Sequence, residues 1–189
     1  MRLFVILAIS LIANVANAAW HVDPNASTVS FATIKADNVG ESHRFTHVTG
    51  TIADDGYVNI EIDLASVDTA VEVRDQRMRD ILFQVMDFPA AVITTRIEPA
   101  ALHTMSIGSS KVMNTEATVT VHGQSTAVTL AVRVSRLGEN LVQIASEKLL
   151  IVNAAQFNLA AGVDELRKVA GLERISLAVP VSFVLELSR

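Results

Sequence analysis

The chain of 189 residues carries 20 acidic residues against 15 basic ones and contains no cysteine. A net charge of −5 is unsuited to nucleic acid, whose phosphates need clustered Lys and Arg. The absence of cysteine excludes thiol catalysis, Cys-ligated zinc and lipid attachment through an N-terminal cysteine.

The N-terminus has the pattern of a secretory signal peptide. Arg2 precedes an apolar run at residues 3–15, and Ala16-Asn17-Ala18 forms a cleavage site of small residues. The run is shorter than the roughly 20 residues that a membrane-spanning helix requires. We therefore expect residues 1–18 to be removed on export to the periplasm, leaving residues 19–189 as a single domain; a buried first helix is the alternative.

Most of the remaining chain alternates between apolar and polar residues, which is the period of a β-strand. Val58, Ile60 and Ile62 face one side of such a strand, whereas Asn59 and Glu61 face the other. The strands predicted in this way cover residues 28–34, 45–52, 58–64, 91–97, 117–121, 128–134, 141–152 and 175–187. About eight strands joined mainly by tight turns predict a mainly β protein, an antiparallel barrel or sandwich.

An amphipathic helix interrupts the strands. Thr69 and Glu72 have the spacing of a capping box, in which each side chain bonds the other residue's N–H, and this predicts a helix beginning at Ala70. Pro89 forbids its continuation. A second, short helix before the last strand is predicted at 162–171, with acidic residues in its first turn and basic residues in its last.

The charged residues of the first helix divide into two groups on a helical wheel. Most lie toward solvent, whereas Arg74 and Asp75 lie at the edges of the apolar side that carries Met78 and Leu82. Phe83 projects off that side. Because a charge at such an edge must be satisfied, we interpret Arg74 and Asp75 as structural anchors bonded to the barrel wall or to buried backbone groups. Contact with a ligand head group is the alternative.

The sequence contains no arrangement typical of an enzyme or a metal site. It lacks a G-x-S-x-G nucleophile elbow and a G-x-x-x-x-G-K-S/T phosphate loop. His43 and His47 lie in a stretch that reads as strand, where residues four apart are about 13 Å from each other, too far to share one metal ion. We therefore expect no catalytic residue, no metal and no cofactor.

Several short motifs lie along the chain, and their order and spacing are more specific than any one of them. They are Trp20-x-Val22-Asp23-Pro24, Phe45 with Gly50, Ser66-Val67-Asp68-Thr69, Arg74-Asp75, Met78-Arg79, Phe83, Pro89-Ala90 and Val121-His122-Gly123. Together they resemble the YceI-like, polyisoprenoid-binding family over nearly the whole of residues 19–189.

The resemblance implies an extended, lipocalin-like antiparallel β-barrel of about eight strands with the amphipathic helix at its mouth. It also implies an apolar channel that holds one isoprenoid chain, such as a quinone tail or a polyprenyl lipid. Burying such a chain gains about 25 cal/mol per Å² and needs no polar contacts along its length. The residues predicted to line the channel are Phe31, Phe45, Ile60, Ile62, Met78, Leu82, Phe83, Phe88, Val179 and Phe183.

The favoured function is that of a non-catalytic periplasmic carrier of an isoprenoid lipid, with no transmembrane segment in the mature chain. The main alternative is a structural or interaction protein of the cell envelope, with the same barrel but a filled interior. An enzyme acting on small molecules is the third reading. Nucleic acid is not expected as a partner, and a homodimer stays open.

Overall fold

The computed structural model describes residues 19–98 and 100–189, so the predicted signal peptide lies outside the described residues. Twelve β-strands form one sheet in this part of the chain. They are β1 (Trp20–Val22), β2 (Thr28–Lys35), β3 (Val39–Phe45), β4 (Val48–Ile52), β5 (Tyr57–Asp63), β6 (Val67–Asp68), β7 (Ala90–Arg96), β8 (Ser110–Val121), β9 (Gln124–Gly138), β10 (Leu141–Ser146), β11 (Leu150–Asn153) and β12 (Ala178–Ser188).

The sheet closes into a barrel. Strands β1, β4, β5, β7, β8, β9, β10 and β12 are each hydrogen-bonded to the next, and β12 returns to β1. The other four strands, β2, β3, β6 and β11, extend this wall, since β2 and β11 pair with β12 and β3 pairs with β2 and β6. Eight strands enclose an interior just wide enough for side chains or for one small ligand. The prediction of a mainly β, antiparallel barrel of about eight strands is confirmed.

Strands β4 and β5 approach each other closely at Gly50. This residue lies opposite Ile60 and has a φ of 156°. A Cβ atom at position 50 would lie 2.4 Å from the carbonyl oxygen of Asn59. Only glycine therefore allows the two backbones to pack in this way.

Several helical segments lie between the strands. The described α-helices are α1 (Glu72–Arg77), α2 (Ala100–His103) and α3 (Ala160–Val169). A π-helical turn at Met78–Phe83 continues α1, and short 3-10 turns occur at Leu64–Ser66 and Ala154–Phe157. The short helix predicted before the last strand is thus present as α3, whereas α2 was not predicted. None of the described helices has the length and apolar character needed to cross a membrane.

The first helix begins two residues later than predicted, and the capping box does not form. Ala70 has a φ of 59°, outside the helical region, and Val71 caps the helix without a side-chain bond. The N–H of Thr69 donates instead to Asp75 Oδ1 over 2.9 Å, and the Thr69 hydroxyl donates to the same oxygen. The carboxylate of Asp75 therefore accepts the Thr69 N–H in place of the carboxylate of Glu72. Asp75 is buried and Glu72 is exposed, and at a buried acceptor water does not compete for the hydrogen bond.

Candidate functional site: an apolar cavity inside the barrel

Side chains fill the barrel interior only in part. Val48, Leu64, Val142 and Leu187 are almost completely buried, but a cavity of about 480 Å³ remains. This volume lies within the range of small-molecule sites, roughly 300–1,000 Å³. Inward-facing residues of the strands line the cavity together with one side of α1 and of α3. The protein therefore contains preformed space for a ligand.

Nearly all residues predicted to line the channel do line this cavity. They are Phe31, Phe45, Ile60, Ile62, Met78, Leu82, Phe83, Val179 and Phe183. The strand residues reach it because side chains an even number of positions apart face the same side of a strand. Ligand binding by these residues stays a prediction.

Three phenylalanines form an aromatic part of the lining. The rings of Phe31 and Phe45 stack with their centroids 5.2 Å apart, and the Phe83 ring lies 5.7 Å from that of Phe45. Phe83 reaches this cluster because the backbone from Met78 to Phe83 is π-helical. Hydrogen bonds in a π-helix join residues five apart, so Phe83 faces the same way as Met78 and both are buried. The α-helical wheel had placed Phe83 off that side, which was wrong.

Phe88 was expected in the lining and lies outside it. The helical segment ends at Gln84, whose backbone is left-handed with a φ of 50°, and Phe88 follows in the turn before β7. Its ring lies 4.1 Å from the ring of His122. A Cβ atom at Gly123 would lie 3.2 Å from the same ring. Phe88 therefore packs on the turn between β8 and β9, because the left-handed residue redirects the chain.

Arg74 and Asp75 hold α1 against neighbouring segments. Arg74 donates to Glu41 Oε2 on β3 over 2.9 Å, and to the hydroxyl and carbonyl oxygens of Thr69 over 2.8 Å and 2.6 Å. Asp75 is buried and accepts the two hydrogen bonds from Thr69. Each charge has the partners that its position requires, and Thr69 serves both.

The cavity is charged where β2 and β3 meet α1. Lys35, Glu41, Arg74 and Arg77 line it there, and Glu41 pairs with both Lys35 and Arg74 over 2.9 Å. Val73 lines the same end and yet is 56% exposed, so the cavity opens to solvent at this point. We call the end formed by these five residues the mouth. The helix α1 thus lies at the mouth of the barrel.

Polarity decreases inward from the mouth along β2 and β3. Glu41 lies opposite Thr33, and His43 lies opposite Phe31. His43 Nε2 and Thr33 Oγ1 are 3.0 Å apart and share a hydrogen bond, whereas the buried Nδ1 of His43 has no partner among the described residues. Phe45, two residues beyond His43, belongs to the aromatic cluster. The wall is therefore ionic at the mouth, neutral and polar one step deeper, and apolar below that.

The electrostatics of the mouth determine its charge at neutral pH. The hydrogen bond from Lys35 lowers the pKa of Glu41, and the positive charge of Arg74 lowers it further, against the opposing effect of burial. Burial lowers the pKa of His43, and the charge of Arg74 acts in the same direction. Glu41 is therefore ionised and His43 neutral at pH 7.

The polar lining residues of β3, Glu41 and His43, were not predicted from the sequence as part of the site. Glu41 and His43 lie four and two residues before Phe45, so strand periodicity assigns all three to one side. The predicted strand began at residue 45, however, whereas β3 begins at Val39. Extending the alternation toward the N-terminus would have found them.

Comparison with known proteins places this architecture in a family. A family model described as a YceI-like domain matches residues 20–187. No curated protein sequence matches the chain. A solved polyisoprenoid binding domain from Saccharophagus degradans, implicated in plant cell wall breakdown, is 34% identical and has a TM-score of 0.88. The match covers 89% of this chain and 97% of that one.

Two more distant solved structures share the fold. BcnA of Burkholderia cenocepacia is 21% identical, with a TM-score of 0.67 over 87% of this chain and 98% of that one. The YCEI protein of Campylobacter jejuni is 15% identical, with a TM-score of 0.55 over 78% of this chain and 84% of that one. The family model and the Saccharophagus domain together span the barrel and its cavity, and this chain belongs to the YceI-like domain family.

Proposed function

We propose that the protein binds one isoprenoid lipid in its barrel cavity and carries it unchanged. The observation that carries this proposal is the cavity itself, about 480 Å³ in volume and lined mainly by apolar side chains. Of the polar residues in the lining, Thr95 and Thr115 bond each other over 2.9 Å and so add little polarity. Similarity to a domain described as polyisoprenoid-binding supports the ligand class.

An isoprenoid chain suits this cavity because its recognition needs burial and no hydrogen bonds. Each buried methylene-sized group contributes about 0.8 kcal/mol, so a five-carbon unit contributes roughly 4 kcal/mol before the entropic cost of binding. Phe31, Phe45 and Phe83 offer the tail contiguous apolar surface. The ionic mouth favours an orientation in which the tail lies deep and the head group lies at the opening.

The cavity weighs against the alternative of a structural protein with a filled barrel. In a filled barrel the inward side chains would be buried by their neighbours. Val179 and Phe183 instead line open space and stay partly exposed. Empty apolar volume lowers stability, so a purely structural role offers no reason to retain it.

We also propose that the protein acts in the periplasm and transforms no substrate. The pattern at residues 1–18 supports the location. The state of the one carboxylate in the lining supports a non-catalytic role, because Glu41 is engaged by both Lys35 and Arg74. Glu41 is therefore not placed as a free general base.

Organic extraction of the purified protein followed by mass spectrometry tests the carrier function. We expect an isoprenoid quinone or polyprenyl species in near-stoichiometric amount. Adding isoprenoid to the extracted protein should raise its thermal unfolding midpoint, because a ligand that binds only the folded state stabilises it. A ligand-free protein whose stability isoprenoids leave unchanged contradicts the proposal.

A pair of variants on β7 locates the bound chain. Ile93 lines the cavity and lies opposite Ile60 and Val119, whereas the adjacent Val92 does not line it. Ile93→Phe should lower the extracted lipid about fivefold or more, since overfilling costs about 1–3 kcal/mol. Val92→Phe places a phenylalanine on the other face and should retain the parent's lipid content. If both variants retain the same amount of lipid, the lipid does not lie against Ile93.

A further inference from the structure

His43 has one ring nitrogen without a partner. The residue is 5% exposed and lines the cavity. Its Nε2 shares a hydrogen bond with Thr33, whereas its Nδ1 is buried and bonds to nothing in the described part of the chain. A neutral imidazole can occupy this position, because one of its two nitrogens carries no hydrogen.

A protonated imidazole does not fit the same position. Both nitrogens of the imidazolium carry a hydrogen, so Nδ1 becomes a charged donor in a buried place without an acceptor among the described residues. Burying a charged donor in this way is unfavourable, and burial lowers the pKa of His43 below its ordinary value of 6.5. Protonation therefore requires either that the ring moves or that water reaches it.

Charged groups on neighbouring segments do not remove this obstacle. Arg74 on α1 and Lys35 on β2 repel a charged ring and add to the effect of burial on the pKa of His43. Glu41 and Asp75 act in the opposite direction. These two acids offset burial and repulsion only in part, since the pKa stays below its ordinary value.

The carboxylates near the ring are engaged by other donors. The two cations of the preceding paragraph hold Glu41 over 2.9 Å, and Thr69 donates both of its hydrogens to Asp75. Asp68 on β6 pairs with Arg44 over 2.9 Å. None of these carboxylates bonds to the ring Nδ1. A charged ring must therefore find water or an acceptor by moving.

The cavity is the open space that the ring borders. Phe31 lies opposite His43 with the two ring centroids 5.3 Å apart, and it stacks on Phe45 in the aromatic cluster. A bound apolar chain lies against this cluster in the proposed complex. Such a chain excludes water from His43 and offers its Nδ1 no acceptor. Protonation of the ring and occupation of the cavity therefore oppose each other.

We propose that His43 is a pH-sensitive switch that weakens ligand binding when its ring is protonated. This rests on the proposed carrier function and adds a regulation to it. Near pH 7 the ring is neutral and the cavity accepts the apolar chain, whereas in acid the charged ring competes with the chain for the cavity. The coupling is reciprocal, so a bound chain makes the ring harder to protonate.

The affinity of the protein for a neutral polyprenyl alcohol, after extraction of its own lipid, tests the switch at pH 7.5 and pH 4.5. The alcohol has no group that titrates in this range, so a change in affinity comes from the protein. The parent should bind about fivefold more weakly at pH 4.5. Circular dichroism at both pH values establishes that the protein is folded.

His43→Gln removes the titrating group and keeps a polar side chain beside Thr33. Because His43 lines the cavity, the quantity compared is the ratio of the two affinities within each protein. That ratio should stay within about twofold in His43→Gln. His47→Gln is the matched control, since His47 is exposed and does not line the cavity. It should lose affinity in acid as the parent does.

An NMR titration of the parent measures the same coupling without a variant. The imidazole of His43 should titrate at a lower pH with the alcohol bound than without it. This measurement decides the proposal if His43→Gln does not fold. Equal titration of the ring in the two states would overturn the switch.

Each remaining outcome also decides. A parent that binds the alcohol equally well at both pH values overturns the switch and leaves the carrier function intact. A His43→Gln variant that loses as much affinity in acid as the parent assigns the pH dependence to another group, and it too overturns the switch. Failure of the parent to bind the alcohol at either pH overturns the carrier function.

Discussion

Replacing Asp75 by alanine should destabilise the protein by about 3 kcal/mol. Asp75 and Thr69 are both buried, and Asp75 Oδ1 accepts the N–H of Thr69 over 2.9 Å and also its hydroxyl. Without the carboxylate the buried N–H has no acceptor, which costs about 1–3 kcal/mol. The hydroxyl loses less, because the carbonyl oxygen of Val71 lies 3.4 Å away and can accept it.

Urea unfolding of the full chain at neutral pH measures this loss as a lower midpoint with an unchanged slope. In a domain of this size, about 3 kcal/mol corresponds to a thermal midpoint lower by roughly 6–12 °C. Asp75→Asn keeps an oxygen acceptor and should lose clearly less than the alanine variant. Asp80→Ala, an exposed carboxylate on the same helical segment, is the control and should stay within about 0.5 kcal/mol of the parent.

Two results would refute this reasoning. If Asp75→Ala were as stable as the parent, the Thr69 donors would not depend on the carboxylate. If Asp75→Asn were as damaging as Asp75→Ala, the negative charge would matter more than the acceptor oxygen. The stability of α1 at the mouth would then need a different source.

Two further predictions concern the barrel wall. Gly50→Ala should destabilise the protein by about 2 kcal/mol or more, since its Cβ would lie 2.4 Å from the Asn59 carbonyl oxygen. Gly40→Ala is the control, because a Cβ atom at position 40 would have nothing within 4 Å. Equal urea midpoints of the Gly50→Ala and Gly40→Ala variants would contradict the explanation. Stability should also fall as pH drops below about 6.5, because burial holds the pKa of His43 below its ordinary value of 6.5. The unfolded chain then binds the proton first. In His43→Gln the urea midpoint should change less with pH between 7.5 and 5.5 than in the parent. If the midpoint changed with pH as much as in the parent, His43 would be excluded as the cause.

The strand part of the cavity lining could be predicted because side-chain direction in a strand depends on local backbone geometry. Ile60 and Ile62 lie two positions apart, so they share a side whatever the rest of the chain does. Val179 and Phe183 share a side for the same reason. Which side faces the lumen depends on how the sheet closes, and the sequence left that open; the structure turns these residues toward the cavity.

The helical part shows where local periodicity fails. The wheel assumed α-helical spacing to the end of the segment, but Met78–Phe83 is π-helical and turns Phe83 toward the cavity. The same turn packs tightly against α3, where a Cβ atom at Gly162 would lie 3.0 Å from Leu82 Cα. A packing contact between segments far apart in sequence thus accompanies the change in helical type, and no pattern within the helix announces it.

The sequence by itself determined the strand alternation, the presence of one amphipathic helix and one short helix, and the apolar identity of the interior, because each depends on residues close together in the chain. Only the tertiary structure decided which charged residues pair with each other at the mouth. Arg74 meets Glu41, 33 residues earlier, whereas Arg77 meets no partner in the described part of the chain. Charge pairing depends on which distant segments come together when the barrel closes.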